Sequence, residues 1–212
     1  MFNSAKIHGL YAVTPDELNT TILCAKVEAA LQGGVSMVQY RNKVVLADHR
    51  LPQAKALLAL CRAYNVPLII NDHLDLCLQI DADGVHLGAS DSDLSAARSL
   101  LGDDKIIGAS CYNQLELAMS AEKAGASYVA FGACFASSTK PNAPVASLDL
   151  IKQAKLQLDL PIVAIGGITI ENAPQVLAAG ADALAVITDI FLKSDIQAMS
   201  ARYSRLFASF RI

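Results

Sequence analysis

Eight short apolar runs alternate with eight longer stretches of helical spacing along this 212-residue chain, and polar residues collect where the runs end. The runs fall at 7–13, 35–39, 66–70, 83–86, 105–109, 127–131, 161–165 and 183–187. Helical patterns fill the intervals near 17–32, 47–64, 73–80, 93–101, 113–124, 147–157, 171–179 and 189–208. A short run that is apolar at nearly every position fits a strand covered on both faces, as in a parallel sheet. Such strands alternating with helices leave two main architectures, a doubly wound open sheet or a closed barrel. The open sheet would want a glycine-rich phosphate loop after its first strand. Here Tyr11-Ala12-Val13 is followed by Thr14-Pro15-Asp16, with no glycine. The pattern therefore predicts an α/β fold, a single-domain (β/α)8 TIM barrel over residues 1–212. Gly33-Gly34, Asn65, Gly102, Gly125 and Gly180 mark helix ends. Three turns into strands share a phrase: Gly34-Val35-Ser36, Gly125-Ala126-Ser127 and Gly180-Ala181-Asp182.

Composition narrows the function classes. A hydrophobic content of 53% and a mean hydropathy of +0.37 imply a large core. Yet no apolar stretch approaches the ~18 residues of a membrane span. Met1 to Leu10 lacks the basic and long apolar regions of a signal peptide, so a cytoplasmic location is expected. A net charge of −3 argues against a general nucleic-acid binder, which would carry a basic face. Anionic small molecules remain open, because a few placed cations matter more than net charge. The five cysteines form no CxxC pair and are expected to be reduced core thiols; Cys111 and Cys134 fall near the carboxyl ends of strands, where a catalytic thiol is the lesser reading. The four histidines have no zinc spacing.

If the strands close, the polar run-ends share one rim, where barrels of this kind keep their active sites. Gly166-Gly167 follows the seventh run and Thr188 the eighth, the two places that often hold a phosphate on backbone N–H groups. Asp72 closes the third run and Asp91 lies beyond the fourth. Two carboxylates on neighbouring loops, completed by water and phosphate oxygens, suit Mg²⁺. Each acid could equally be a cap, and Asp93 competes for that role. Gln39, Arg41 and Lys43 follow the second run, Asn71 the third and Ser110 the fifth; Ser137-Ser138-Thr139-Lys140 follow the sixth. Arginine grips phosphate through paired donors and lysine neutralises it as a point charge. Singly, each is ordinarily a solvated surface residue. Their convergence points to a small, phosphate-bearing, metal-assisted substrate.

In order and spacing these residues resemble the thiamine-phosphate synthase family along nearly the whole chain. The matching phrases are Gly9-Leu-Tyr-Ala-Val-Thr-Pro-Asp16, Val38-Gln-Tyr-Arg-Asn-Lys43, Ile70-Asn-Asp72 and Ala82-Asp-Gly-Val-His-Leu-Gly88 to Asp91. Ile107-Gly-Ala-Ser110, Gly132 through Ser137-Ser-Thr-Lys140, Ala164-Ile-Gly-Gly-Ile168 and Val186-Ile-Thr188 complete the series. The resemblance implies a barrel that joins 4-amino-2-methyl-5-hydroxymethylpyrimidine diphosphate to 4-methyl-5-(2-phosphoethyl)thiazole. It assigns Gln39, Arg41, Lys43 and Asn71 to the pyrimidine diphosphate, and Asp72 and Asp91 to Mg²⁺. Ser110 and Lys140 would contact the diphosphate, with Lys140 assisting its departure. Ser137, Ser138 and Thr139, with Gly167, Ile187 and Thr188, would bind the thiazole and its phosphate. Ala133, Ser137, Ala89 and Tyr40 depart from the family's usual residues, and none removes a charged ligand.

Two other readings stay open at the level of sequence. A thiazole tautomerase of the same fold would need neither metal nor diphosphate, but would want a proton-transfer residue such as His86. A non-catalytic thiazole-phosphate or thiamine-phosphate binding protein would keep the site without turnover. The apolar surplus leaves room for a homo-oligomer interface, although a barrel core alone can absorb it. Residues 40–46 and 133–144 are the candidates for a loop that closes over substrates.

Overall fold

A computed structural model describes residues 7–88, 93–135 and 146–210, and in it the expected strands close into a parallel barrel. The strands are β1 (Gly9–Val13), β2 (Met37–Tyr40), β3 (Leu68–Asn71), β4 (Gly84–Leu87), β5 (Ile106–Tyr112), β6 (Tyr128–Phe131), β7 (Ile162–Ile165) and β8 (Ala183–Val186). Each pairs with its successor, and β8 returns to β1 with Tyr11 opposite Ala185. Around them lie α1 (Thr20–Gln32), α2 (Ala47–Ala63), α3 (Leu74–Ile80), α4 (Leu94–Leu101), α5 (Leu115–Lys123), α6 (Leu148–Gln157) and α7 (Ala173–Ala178). The chain continues through α8 (Thr188–Phe191) and α9 (Ile196–Phe210). Among the described residues no helix is long and apolar enough to cross a membrane.

Side chains alternate between two cores, because successive Cβ atoms of a strand point to opposite faces. Leu10, Ala12, Val38, Leu68, Ile70, Val129, Ile162 and Leu184 pack outward against the helices. Tyr11, Val13, Met37, Ile69, Ile106, Tyr128, Ala130, Val163, Ala183 and Ala185 form a separate cluster in the bore. Two tyrosine rings fit there only beside small neighbours. A Cβ on Gly108 would stand 2.1 Å from Tyr128 Cζ and 2.5 Å from His86 Nδ1, so only glycine leaves room.

The repeated turn phrase proves to be a splice at the opposite end of the barrel from the polar run-ends. The backbone N–H groups of Ser36, Ser127 and Asp182 donate to the carbonyls of Leu10, Ile107 and Ile162. Their side chains add a second bond: Ser36 Oγ donates to Leu10 O, while Ser127 Oγ and Asp182 Oδ2 accept from Ile107 N and Ile162 N. Each turn thus fixes the register of a strand against its neighbour. Asn65, read as a helix end, adopts the left-handed conformation with φ 54°.

One element departs from expectation. The helix predicted over 189–208 is two, α8 and α9, separated at 192–195. Asp195 causes the break, since its Oδ1 accepts from Ala198 N at 2.8 Å and starts a new helix as an N-cap. Asp93 likewise caps α4 by accepting from Ala96 N at 2.9 Å, which settles the competition between Asp91 and Asp93 for that role. Asp91 itself lies outside the described residues.

Candidate active site

The strands' carboxyl ends open into a cavity of about 370 Å³. Gln39, Arg41, Asn71 and Ser110 line it from β2, β3 and β5, and Gly166, Gly167, Ile187 and Thr188 line it from the β7 and β8 ends. Eight positions taken from the sequence, scattered over 150 residues of chain, are therefore brought to one hollow. The reason is register. Gln39, Asn71 and Ser110 occupy the inward-facing positions at the ends of strands whose preceding inward residues, Met37, Ile69 and Ile106, fill the bore.

The loop after β2 is held rigidly. Thr14, fully buried at the end of β1, accepts from Arg41 N (2.9 Å) and donates to Arg41 O (2.8 Å). Asp16 Oδ1 accepts from Lys43 N at 2.7 Å and from Arg41 Nη1 at 3.4 Å. Asn42 donates to Glu17 O and Gln53 Oε1, and its own Oδ1 accepts from Val44 N and Val45 N. Residues 40–46, a candidate closing loop, are thus pinned to the β1–α1 loop and to α2. Of the other candidate, 133–144, residues 136–144 lie outside the described residues, and with them Ser137, Ser138, Thr139 and Lys140.

Asp72 sits just past β3 in a left-handed conformation (φ 63°) with its N–H donating to His86 O at 2.9 Å. Its carboxylate forms an ion pair with Lys43 Nζ on the rim. Among the described residues no three histidine, cysteine, aspartate or glutamate side chains gather as a metal cage. The Asp72 carboxylate on this rim is a hard oxygen ligand. That suits Mg²⁺, which takes one or two carboxylates and fills its shell with water and phosphate oxygens.

Gly166 and Gly167 adopt φ of 98° and 64°, conformations that disfavour any side chain. A Cβ on Gly166 would in addition fall 2.6 Å from Ala133 Cα. Asn172 holds the turn by donating to Gly167 O at 2.9 Å. Beneath Thr188, buried Asp189 accepts from Ile170 N and Tyr203 Oη and pairs with Lys193, which locks α8 against α9 and the loop after β7.

The floor of the cavity holds what the rim residues alone do not reveal. Gln39 Nε2 donates to Tyr11 Oη at 2.8 Å, and Tyr11 Oη bonds Tyr128 Oη at 2.9 Å. Tyr128 Oη lies 2.9 Å from His86 Nδ1, and His86 Nε2 lies 2.8 Å from Ser110 Oγ. The His86 and Tyr128 rings stack at 21° with centroids 5.6 Å apart. Burial holds the imidazole neutral by pushing its pKa down to about 4, although the Asp72 charge pulls the other way. Burial also raises the Tyr11 and Tyr128 phenols, so both stay protonated. Of these residues the sequence marks Gln39 and Ser110 as site residues and His86 chiefly as a structural histidine at a strand end, with proton transfer in a tautomerase as the lesser reading. The available signal was chemical: a buried tyrosine normally finds a partner for its hydroxyl.

Cys111 and Cys134 do not line the cavity. Burial pushes their thiols up to about 12 and about 11 respectively. They are therefore protonated core residues without nucleophilic character at neutral pH.

A sequence profile of the family described as thiamine monophosphate synthase matches residues 10–190. The chain is 56% identical over 201 residues to a thiamine-phosphate synthase of Methylobacillus flagellatus, covering 95% of this chain and 96% of that one. It is 52% identical over 202 residues to a thiamine-phosphate synthase of Nitrosospira multiformis, covering 95% and 86%. The solved structure of a thiamine phosphate pyrophosphorylase from Pyrococcus furiosus superposes with a TM-score of 0.89 at 32% identity, over 99% of this chain and all of that one.

Proposed function

This chain belongs to the thiamine monophosphate synthase family, and from that premise we propose how its barrel works as a transferase. It joins 4-amino-2-methyl-5-hydroxymethylpyrimidine diphosphate to 4-methyl-5-(2-phosphoethyl)thiazole, giving thiamine phosphate and diphosphate. The observation that carries this reading is the two-sided cavity. Arg41, Gln39, Asn71 and Ser110 line one wall, and the Gly166-Gly167 turn and Thr188 line the other. One wall offers a cation and amide and hydroxyl groups to a diphosphate ester. The other offers a glycine turn and a short helix to a phosphate.

The thiazole nitrogen attacks the pyrimidine's methylene carbon with a lone pair, and the carbon–oxygen bond to diphosphate breaks. That nitrogen has no proton to lose, so the step needs no general base. The aminopyrimidine delocalises positive charge at the methylene, which makes a dissociative substitution the natural course. What needs stabilising is the negative charge of the departing diphosphate. Arg41 and Lys43 are held on the rim for this, Ser110 donates from below, and Lys140 is assigned to the leaving group. Asp72 and Asp91 would hold Mg²⁺, which when bound supplies Lewis-acid stabilisation of the same charge. Both ring nitrogens of His86 are engaged within the protein, which disfavours the tautomerase reading, where this residue would carry protons to and from the thiazole.

The test is diphosphate release from the purified protein with both substrates, with Mg²⁺ and with EDTA. Release that needs both substrates and the metal, accompanied by thiamine phosphate, supports the synthase. Thiazole isomerisation without diphosphate release, or binding without turnover, overturns it.

A further inference from the structure

The floor network has a direction, and the direction can be derived from counting protons. Gln39 Nε2 is a donor, so Tyr11 Oη accepts from it. Among the described residues the one other polar group bonded to Tyr11 Oη is Tyr128 Oη, so Tyr11 sends its own proton there. Tyr128, having accepted, sends its proton to His86 Nδ1. A neutral imidazole accepting at Nδ1 carries its hydrogen on Nε2, which then donates to Ser110 Oγ. Ser110 is left with its hydroxyl hydrogen as the free end of the chain, at the cavity wall. With Gln39 Nε2 facing Tyr11, the chain run the other way leaves the buried Tyr11 hydroxyl with two donors pointing at it and, among the described residues, no acceptor for its own hydrogen.

We infer that His86, Tyr128 and Tyr11 are positioning residues that set Ser110 as a one-way hydrogen-bond donor into the cavity, with Gln39 Oε1 left as the matching acceptor at the other end. The inference rests on the proposed reaction only for what Ser110 meets, an acceptor-only phosphate oxygen. The polarity itself belongs to the free protein. It also explains the residue types. Phenylalanine at 11 or 128 would fill the bore equally well, and the hydroxyls are there to pass the polarity from β2 to β5 across the barrel axis. Gly108 is the space in which they meet.

Two measurements decide it. The first is a long-range ¹H–¹⁵N correlation spectrum of the free protein at neutral pH, with the His86 signals identified by their loss in His86→Gln. A neutral ring protonated on Nε2 supports the inference, and one protonated on Nδ1 overturns it whatever the enzyme does. The second is a set of variants assayed for diphosphate release. Ser110→Ala should lose roughly 10- to 100-fold in kcat, the worth of one hydrogen bond to a charged acceptor. Tyr128→Phe should lose several-fold in the wild-type background and less than about twofold in Ser110→Ala, because the two act through one group. His86→Gln, whose amide offers a donor to Ser110 and an acceptor to Tyr128, should keep activity that His86→Leu loses. Additive losses in the Tyr128→Phe/Ser110→Ala pair, or equal losses in the two His86 variants, overturn the positioning role. Absence of synthase activity in the wild type would overturn the reaction and leave the spectrum to decide the polarity.

Discussion

Acid should weaken this fold through one imidazole. His86 is buried, and its pKa falls from 6.5 to about 4, chiefly by desolvation. In the unfolded chain the ring takes up a proton as pH drops through 6.5, whereas the folded protein resists until about pH 4. Between those values the unfolded state binds more protons, so stability falls as pH falls. Above 6.5 both states are neutral and the term vanishes. Each unit of pKa difference is worth about 1.4 kcal/mol, so the whole window amounts to about 3 kcal/mol. Against a typical domain stability of about 5–15 kcal/mol, that is a large share. The assay is urea unfolding of the wild type and His86→Gln at several pH values from 7.5 to 4. Carboxylates such as Glu17 and Asp81, whose pKa values are lowered by their partners, titrate in both proteins and cancel in the comparison. The wild type should lose about 3 kcal/mol more than the variant over this range. Parallel curves for the two proteins would refute the reasoning, because they would mean that the buried ring titrates as it does in solvent.

Gly108→Ala drives a Cβ to within 2.1 Å of the Tyr128 ring, so thermal unfolding should show a loss of about 1–3 kcal/mol or more from overpacking, together with lost activity. Thr14→Val keeps the shape but strips the hydroxyl that accepts from Arg41 N and donates to Arg41 O. It should cost about 1–3 kcal/mol and raise KM for the diphosphate substrate more than it lowers kcat; an unchanged KM would mean that the clamp does not place Arg41. Lys140→Ala should lose roughly 10²-fold or more in kcat, as when a preorganised charge-stabilising donor is removed. A loss confined to KM would count against its assignment to the leaving group.

The barrel was readable in the chain because each strand announces itself twice, by an apolar run and by the polar residue or glycine that ends it. Val66 to Ile70 followed by Asn71-Asp72 is the clearest case, and the structure places Asn71 at the cavity and Asp72 on the rim beside Lys43. The split between α8 and α9 was harder. Apolar residues at Ile190, Phe191, Ile196 and Met199 keep a helical rhythm through 192–195, and only the capping chemistry of Asp195 breaks it. The floor network was hidden for a different reason. Strands buried on both faces show no alternation, so the apolar runs by themselves do not mark which positions face the bore. Tyr11 and Tyr128 sit inside such runs and count there as hydrophobic residues.

That blind spot bears on how stability and activity are coupled here. In many barrels the bore is a passive plug of aliphatic side chains beneath an active rim. Here the plug and the site share atoms: Tyr11 and Tyr128 are at most 1% exposed, yet each hydroxyl lies in a chain of bonds ending on Gln39 and Ser110 at the cavity. A buried polar chain that is fully satisfied stiffens its surroundings, and one deprived of a single member leaves a buried group unpaired. Removing either phenolic hydroxyl should therefore be felt at both ends of the chain, at the β2 wall and at the β5 wall. Aliphatic substitutions elsewhere in the bore, such as Val163→Ala, should lower stability by the cost of a cavity without altering what the cavity walls donate or accept. The ratio of lost activity to lost stability would then separate the two kinds of core residue, high along the hydrogen-bonded chain and low beside it.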